Sequence, residues 1–293
     1  MLIADLGCSY EPNALALVST AVKAIINHCL QFQQPPPEVC VLLNDLPDND
    51  FNTVVKSLAT LRQNNNKLVV VTGVAPGSFY ERLFTSDSLH LAPEDLTMNQ
   101  IPAYDMDEHA RRERLPTVRE AYARQFRKDF ILFLELRAKE LVPGGRMVVS
   151  LVGQPSNVKA SKFFHLWETL VQILSVMALE GVIDKAKFDS FYVPVYGPSG
   201  EELREIIQDE GSFSIRDMRV YDATTDMDSM LFTPSSFVNY LRAIFEPIIV
   251  EHFGEVMDEF VRTAERRWSL EGSMQNERAR NPRAMLAVSL VKA

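Results

Sequence analysis

The 293-residue chain has few cysteines, no excess of positive charge and no apolar run long enough to span a bilayer. Three scattered cysteines, Cys8, Cys29 and Cys40, give no disulfide framework and no paired metal spacing. A net charge of -9 argues against wide contact with nucleic acid or with an anionic membrane. No basic segment followed by an apolar one opens the chain, so we expect no signal peptide. These absences favour a reducing compartment, and we expect a cytoplasmic protein.

The first half of the chain alternates short apolar runs with segments of helical periodicity. The runs predicted as strands are "MLIADLG", "EVCVLLNDL", "KLVVVTGVA" and "RMVVSLVG". Between them, helices are predicted over residues 13–32, in "DFNTVVKSLATLRQ" and in "REAYARQFRKDFILFLELRAKELV". The last of these helices places an apolar set on or near one face: Tyr122, Phe126, Phe130, Phe133, Leu134 and Leu141. Apolar strands separated by helices are typical of an α/β fold with a doubly wound parallel sheet.

The second half of the chain is mainly helical. A helix is predicted over residues 161–179, and Ser199 three residues before Glu202 predicts a capped helix that ends near Gly211. A longer helical pattern over residues 236–268 is expected to break or kink near Pro247. "AMLAVSLVKA" closes the chain as a strand. We therefore predict an α/β core in residues 1–155, a helical cap in 156–280 and a last strand, 281–293, that returns to the core.

Two predicted strands end in polar residues, at Asp5-Leu6-Gly7-Cys8-Ser9 and at Asn44-Asp45-Leu46. In a doubly wound sheet, ligands bind outside the carboxyl ends of the strands. Gly7 would let the backbone approach a ligand closely. An acid after the second strand can accept hydrogen bonds from both hydroxyls of a ribose.

The first turn discriminates between nucleoside cofactors. A dinucleotide site needs G-x-G-x-x-G, so that the pyrophosphate rests on a helix N-terminus. Only Gly7 is present, and Glu11 stands where a second glycine would fall. A carboxylate would repel a pyrophosphate but suits a positive sulfonium, which favours S-adenosylmethionine over NAD. Two alternatives remain at this point: a glycine turn without a ligand, and an NAD-dependent oxidoreductase based on the fold alone.

Several ordered segments carry a resemblance to a known family. They are "IADLGCSYEPN", "LLNDLPDNDFN", "VAPGSFYERLF", "AYARQFRKDFILFLELRAKELVPGGRMVVSLVG", "FDSFYVPVYGPSGEELREIIQDEGSF" and "LRAIFEPIIVEHFG". Over nearly its whole length the chain resembles the plant SABATH methyltransferases of the salicylate, benzoate and theobromine type. The resemblance implies a class I S-adenosylmethionine-dependent methyltransferase fold, Rossmann-like, with a helical cap. It also implies methyl transfer to the carboxylate of a small hormone-like or aromatic acid, and a homodimer.

The resemblance also implies the residues that hold the cofactor. Cys8 and Asn13 match family residues that contact S-adenosylmethionine, and Asp5 shapes the same turn. Asp45 and Leu46 match contacts to the ribose and the adenine. Ser78 and Phe79 match a pair on the adenine side, although Phe79 taken without the motif would be a core aromatic.

For the acceptor, the resemblance implies Trp167 on the first cap helix, Tyr196 in "VPVYGPS" and Leu241 in "YLRAIFEP". Taken without it, all three would be core residues. Some family members carry a magnesium ion, whose ligands would map to these positions: Asp105, Asp189, Phe191 through its carbonyl oxygen, and Tyr192. The alternative for the two acids is a pair of surface carboxylates. No catalytic side chain is expected, because an acceptor carboxylate is already ionised at neutral pH.

The chain departs from the family pattern in three places. Family members carry a segment before the "ADLGCS" strand whose Tyr and Gln cover the cofactor and bind the acceptor carboxylate, and we expect these groups to be absent. After "SLH" about a dozen residues are expected to be missing, with one internal strand of the sheet. Glu11 replaces a glycine of the motif. These departures support a second hypothesis, a catalytically impaired or inactive relative that keeps the fold, cofactor binding or dimerisation.

Overall fold

The computed structural model describes residues 1–8, 15–63, 69–95, 108–153, 165–191, 196–222, 234–271 and 284–293. Within these residues, seven strands form one sheet in the order β3-β2-β1-β4-β5-β7-β6. Their bounds are β1 Leu2–Leu6, β2 Val39–Asn44, β3 Val70–Val74, β4 Leu89–Asp95, β5 Leu141–Val152, β6 Phe213–Asp222 and β7 Ala284–Lys292. The first five strands pair in parallel, and β7 lies antiparallel to both β5 and β6.

Eight helices are described in the same part of the chain. They are α1 Ala16–Gln31, α2 Phe51–Gln63, α3 Glu108–Glu140, α4 His165–Leu179, α5 Lys185–Ser190, α6 Gly200–Glu210, α7 Pro234–Phe253 and α8 Met257–Glu271. None of these described helices combines the length and the apolar character that crossing a membrane requires.

The strand order creates a switch point beside β1. The chain builds outward from β1 through β2 to β3, then returns to place β4 on the other side of β1. The carboxyl ends of β1, β2 and β3 therefore meet at one edge of the sheet, where an open α/β sheet binds its ligands. This edge carries both of the polar strand ends singled out in the sequence.

Several sequence predictions are confirmed. The predicted apolar face of α3 is buried, together with Leu141 at the start of β5. Helix α6 begins at its predicted cap, where the Ser199 hydroxyl accepts from the backbone N–H of Glu202 at 3.1 Å. It ends at Gly211, whose φ of 83° is the left-handed conformation that glycine adopts readily. The predicted break at Pro247 is wrong: α7 continues through Pro247, and the helical pattern divides instead between Phe253 and the start of α8 at Met257.

The prediction of a missing internal strand is wrong for this sheet. Residues 89–95 form β4, which pairs Ile3 with Leu91 on one side and Glu94 with Val149 on the other. Without it, the inner backbone groups of β1 and β5 would have no partners. The pattern concealed this strand because Pro93, Glu94 and Asp95 interrupt its apolar run. Strand β6 was also missed, because "FSIRDMRVYD" is a polar, alternating edge strand.

Three apolar clusters fill the described part of the molecule. One lies between β1–β3 and helices α1 and α2, and a second joins β4, β5 and β7 to α3 and α6. The third is made by α4, α5, α7 and α8, so the cap helices share a core of their own. Within the predicted cap range of 156–280, however, β6 is a strand of the sheet and α6 packs against the sheet core. We propose that residues 196–222 belong to the α/β core.

Candidate cofactor and acceptor site

The turn after β1 is held against the end of β2. Gly7 has a φ of 72°, a conformation that costs a side-chain-bearing residue strain. The next residue, Cys8, donates its backbone N–H to the carbonyl oxygen of Asn44 at 2.9 Å. This bond extends the parallel register of the two strands by one step, beyond the pair of Leu6 with Asn44. The turn therefore presents its backbone at the switch point in a fixed position.

Two carboxylates and a thiol meet at this turn. Asp5 and Cys8 are buried, with 5% and 6% of their surface exposed. Burial, followed by the nearby carboxylates of Asp45 and Asp5, raises the pKa of the Cys8 thiol to about 12. The thiol is therefore protonated at neutral pH and is not a nucleophile. Negative charge beside a neutral thiol makes this turn suitable for a cationic ligand.

The end of β2 offers a polar group beside an apolar one. Asp45 is partly exposed, and one of its carboxylate oxygens accepts from the backbone N–H of Leu46 at 2.7 Å. That bond orients the carboxylate. Leu46 is 52% exposed, so it offers apolar surface beside this carboxylate. An oriented carboxylate next to an exposed apolar surface is the chemistry that a ribose joined to an adenine requires.

Asn44 joins the end of β2 to the loop after β3. Its fully buried amide nitrogen donates to the carbonyl oxygens of Ala75 and Gly77, at 2.6 and 2.8 Å. The N–H of Gly77 donates in turn to the carbonyl oxygen of Asp45 at 2.9 Å. These bonds tie Gly77, the residue before Ser78 and Phe79, to the backbone of Asp45. The sequence prediction left Asn44 without a role, although a polar amide at the end of an apolar strand is a signal for one.

The structure thus brings six of the predicted cofactor residues to one edge of the sheet: Asp5, Cys8, Asp45, Leu46, Ser78 and Phe79. Their binding of a cofactor remains a prediction. The seventh, Asn13, lies outside the described residues, as does Glu11.

The three predicted acceptor residues lie in different surroundings. Leu241 is fully buried in the cap core on α7. Tyr196 packs against the core of the sheet layer: its ring centroid lies 5.5 Å from that of Phe126, and its hydroxyl donates to Glu202 at 2.6 Å. Trp167 belongs to α4, but its side chain is outside the described part of the structure. Their contact with an acceptor remains a prediction.

Two of the four predicted magnesium ligands, Asp189 and Phe191, lie within the described residues. Asp189 accepts from the ammonium group of Lys185 at 3.0 Å, and Phe191 packs against the rings of His252 and Phe253. Asp105 and Tyr192 lie outside the described residues. Nowhere in the described part do three His, Cys, Asp or Glu residues group so that they could hold a metal. Because two of the four predicted ligands cannot be placed, the magnesium site remains a prediction. We therefore derive no chemical step through a metal.

The sheet order, with its antiparallel β7, and the turn after β1 define a class I S-adenosylmethionine-dependent methyltransferase fold. A family model described as SAM dependent carboxyl methyltransferase matches residues 1–293, and the chain belongs to this family, the SABATH methyltransferases. The resemblance drawn from the sequence is therefore confirmed.

Two curated relatives illustrate the match. Jasmonate O-methyltransferase of Arabidopsis thaliana is 37% identical over 304 residues, covering 88% of this chain and 78% of that protein. Anthranilate O-methyltransferase 1 of Zea mays is 31% identical, covering 100% of this chain and 85% of that protein. A further Zea mays protein, named inactive anthranilate O-methyltransferase 1, has the same identity and coverage.

A solved structure supports the same assignment. Loganic acid methyltransferase with S-adenosylhomocysteine matches with a TM-score of 0.82 and 28% identity, covering 100% of this chain and 84% of that one. Fold and family together make this chain an S-adenosylmethionine-dependent methyltransferase.

Proposed function

We propose that this chain transfers the methyl group of S-adenosylmethionine to the carboxylate of a small plant acid, forming a methyl ester. The observation that supports the proposal most is the acidic turn at the end of β1 and β2. There, the carboxylates of Asp5 and Asp45 help to raise the pKa of the buried Cys8 thiol, which stays neutral. A sulfonium nucleoside needs such negative surroundings, an acid for its ribose and apolar surface for its base. The relatives named for jasmonate, anthranilate and loganic acid support a carboxylate acceptor.

The reaction needs no general base. A new bond forms between a carboxylate oxygen and the methyl carbon, the bond from that carbon to sulfur breaks, and its electron pair stays on sulfur. The acceptor is already ionised at neutral pH, so no proton has to be removed. The protein's part is to hold the acceptor oxygen in line with the methyl–sulfur bond and to exclude water. Trp167, Tyr196 and Leu241 are proposed to position the acceptor, and no residue is assigned a catalytic role.

Calorimetric titration with S-adenosylhomocysteine tests the cofactor half of the proposal. The wild-type chain should bind it, and Asp45→Ala should remove the binding because the ribose acid is lost. Asp48→Ala is the matched control: Asp48 is an exposed acid three residues further along, and its loss should leave the affinity unchanged. A folded wild-type chain that does not bind S-adenosylhomocysteine would contradict the proposal.

A panel of plant acids with labelled S-adenosylmethionine then tests turnover. Formation of a methyl ester would support the carboxyl methyltransferase. The second candidate is an inactive relative. One Zea mays relative of 31% identity is named inactive, so membership of the family does not by itself secure activity. Binding of S-adenosylhomocysteine without turnover of any acid would favour this second candidate. Light scattering of the same sample would test the proposed homodimer.

A further inference from the structure

The last turn of α3 carries a fully buried ion pair outside the site described so far. Arg137 and Glu140 both have 0% of their surface exposed, and the Nε of Arg137 donates to Glu140 Oε2 at 2.8 Å. Removing two charges from water is costly, and their mutual attraction often only offsets that cost. The pair is therefore poorly explained as a source of stability alone. Its remaining hydrogen bonds show what else it holds.

Both side chains bind the backbone of one irregular segment, residues 78–84, which we call the adenine-side segment. The two terminal nitrogens of Arg137 donate to the carbonyl oxygens of Phe79 and Glu81, at 2.8 and 2.9 Å. Glu140 Oε1 accepts from the N–H groups of Leu83 and Phe84, at 2.7 and 3.1 Å. Four backbone groups that lie outside any strand or helix are thus hydrogen-bonded to charged side chains of α3.

The same arginine also lies over the ring against which Phe79 packs. The guanidinium carbon of Arg137 is 5.3 Å from the ring centroid of Phe133. The ring of Phe79 meets that of Phe133 edge-on, with centroids 6.4 Å apart. Arg137 therefore fixes Phe79 twice, directly through its carbonyl oxygen and indirectly through Phe133.

We infer that Arg137 and Glu140 are positioning residues that hold Ser78 and Phe79 in the geometry needed to read the adenine of the cofactor. The inference rests on the proposed function, which assigns Ser78 and Phe79 to the adenine side. Arg137 and Glu140 bind the backbone of this segment and are not themselves assigned to the cofactor. Both act through the adenine-side segment, which Asn44 holds from the opposite end through Gly77.

The test uses the full chain and compares two ligands. S-Adenosylhomocysteine and S-inosylhomocysteine differ only in the base, where a carbonyl oxygen replaces the amino group and N1 becomes an N–H donor. The wild-type chain should prefer the adenine ligand. Arg137→Lys keeps the charge but cannot reach both carbonyl oxygens and Glu140 at once, because a lysine has one nitrogen in place of a planar fork. We expect its affinity for S-adenosylhomocysteine to fall on the order of tenfold, and its preference for adenine over hypoxanthine to shrink.

Two further variants complete the design. Glu140→Gln keeps the size of the side chain but removes its charge, and it should shift the preference in the same direction even if Arg137→Lys fails to fold. Arg127→Lys is the matched control: it lies on the same helix and pairs with Asp209 at the surface. Its affinity and its base preference should equal those of the wild type.

The outcomes separate the inference from the proposed function. If the folded wild-type chain binds neither ligand, the proposed function fails and the inference fails with it. If the wild type binds and Asp45→Ala does not, the proposed function is supported. An unchanged ratio of the two dissociation constants in the folded variants of Arg137 and Glu140 would then overturn the inference alone.

A wild type without any base preference would overturn the inference as well. A loss that is equal for both ligands would show a merely structural role.

Discussion

The side chain of Asn44 reaches from the end of β2 to the carbonyl oxygen of Gly77, at 2.8 Å, and the N–H of Gly77 donates back to the backbone of Asp45. The two strand ends are thus closed into a ring of hydrogen bonds. The ring includes the backbone of Asp45, the proposed ribose ligand, and Gly77, the residue that precedes the adenine-side segment. A single amide therefore sets the distance between the two halves of the proposed nucleoside site.

Replacing Asn44 by Asp should destabilise the protein and weaken its binding of S-adenosylhomocysteine. The substitution changes only the donating nitrogen into an oxygen, which would face the carbonyl oxygens of Ala75 and Gly77 without a proton to share. We expect a loss of roughly 3 kcal/mol in the free energy of unfolding, measured by urea denaturation. Asn52→Asp, an exposed residue in the first turn of α2, is the matched control and should change stability little. Equal stability of Asn44→Asp and wild type would contradict the role given to this amide.

Gly77→Ala should have a related effect for a different reason. Gly77 has a φ of 152°, and an added Cβ would lie 2.8 Å from the Cδ2 atom of Leu83. The Leu83 side chain would have to move aside, and the alanine would hold a φ that residues with a side chain rarely adopt, at a cost of about 1–3 kcal/mol in unfolding free energy. Thermal unfolding and the affinity for S-adenosylhomocysteine should fall together. Gly200→Ala, where a Cβ meets its nearest neighbour at 3.6 Å, should leave both unchanged or raise the stability slightly.

Cys8 should make the stability of the fold depend on alkaline pH. Burial, Asp45 and Asp5 raise the pKa of the thiol to about 12 in the folded state, from 9.0. Between these values the unfolded chain releases a proton that the folded chain keeps. Stability from this group is therefore complete below pH 9 and is lost as the pH rises toward 12. The slope should be up to about 1.4 kcal/mol per pH unit.

Urea denaturation of the wild type and of Cys8→Ala at several alkaline pH values measures this contribution as a difference in slope. Cys40→Ala, a partly exposed cysteine on β2, is the control and should follow the wild type. Parallel pH profiles for Cys8→Ala and wild type would show that the thiol is not shielded as described.

Trp167→Ala should change which acid is accepted, more than how tightly the cofactor binds. Trp167 lies on α4, the first helix of the cap, and is proposed to line the acceptor pocket. Loss of its ring should raise the KM for aromatic acids or alter the order of preference in the acid panel. The dissociation constant of S-adenosylhomocysteine should stay within about twofold of the wild type. An unchanged acceptor profile would remove Trp167 from the proposed pocket.

Local chemistry explains which parts of the fold could be predicted from sequence. The strands β1, β2, β3, β5 and β7 are apolar runs, and the apolar face of α3 has the helical period, so both were recognised. Strand β4 was not recognised, because its sequence includes Pro93, Glu94 and Asp95. Its place in the sheet depends on backbone pairing with β1 and β5. Tertiary pairing overrides local preference in such a segment.

The candidate site shows the same division. Asp5 lies near the end of one apolar strand, and Gly7 and Asp45 follow the ends of two, so their meeting at one edge follows from the fold class alone. The roles of Asn44, Arg137 and Glu140 depend on which backbone groups the loop after β3 leaves without partners, and no spacing in the sequence records that. In the sequence Arg137 and Glu140 are indistinguishable from the charged residues of any amphipathic helix. Only their burial in the structure sets them apart.

The position of β7 has a consequence for the order in which the sheet assembles. Strand β6 has β7 as its sole sheet neighbour in the described residues, and β7 also pairs with β5, as in the match of Val149 with Val288. The earlier strand β6 can therefore join the sheet only together with the later β7 or after it. Closing so long a stretch of chain before any pairing is gained is slow. Pairing of β6 and β7 with the sheet should thus be a late step of refolding, whereas β1, β2 and β3 can pair earlier.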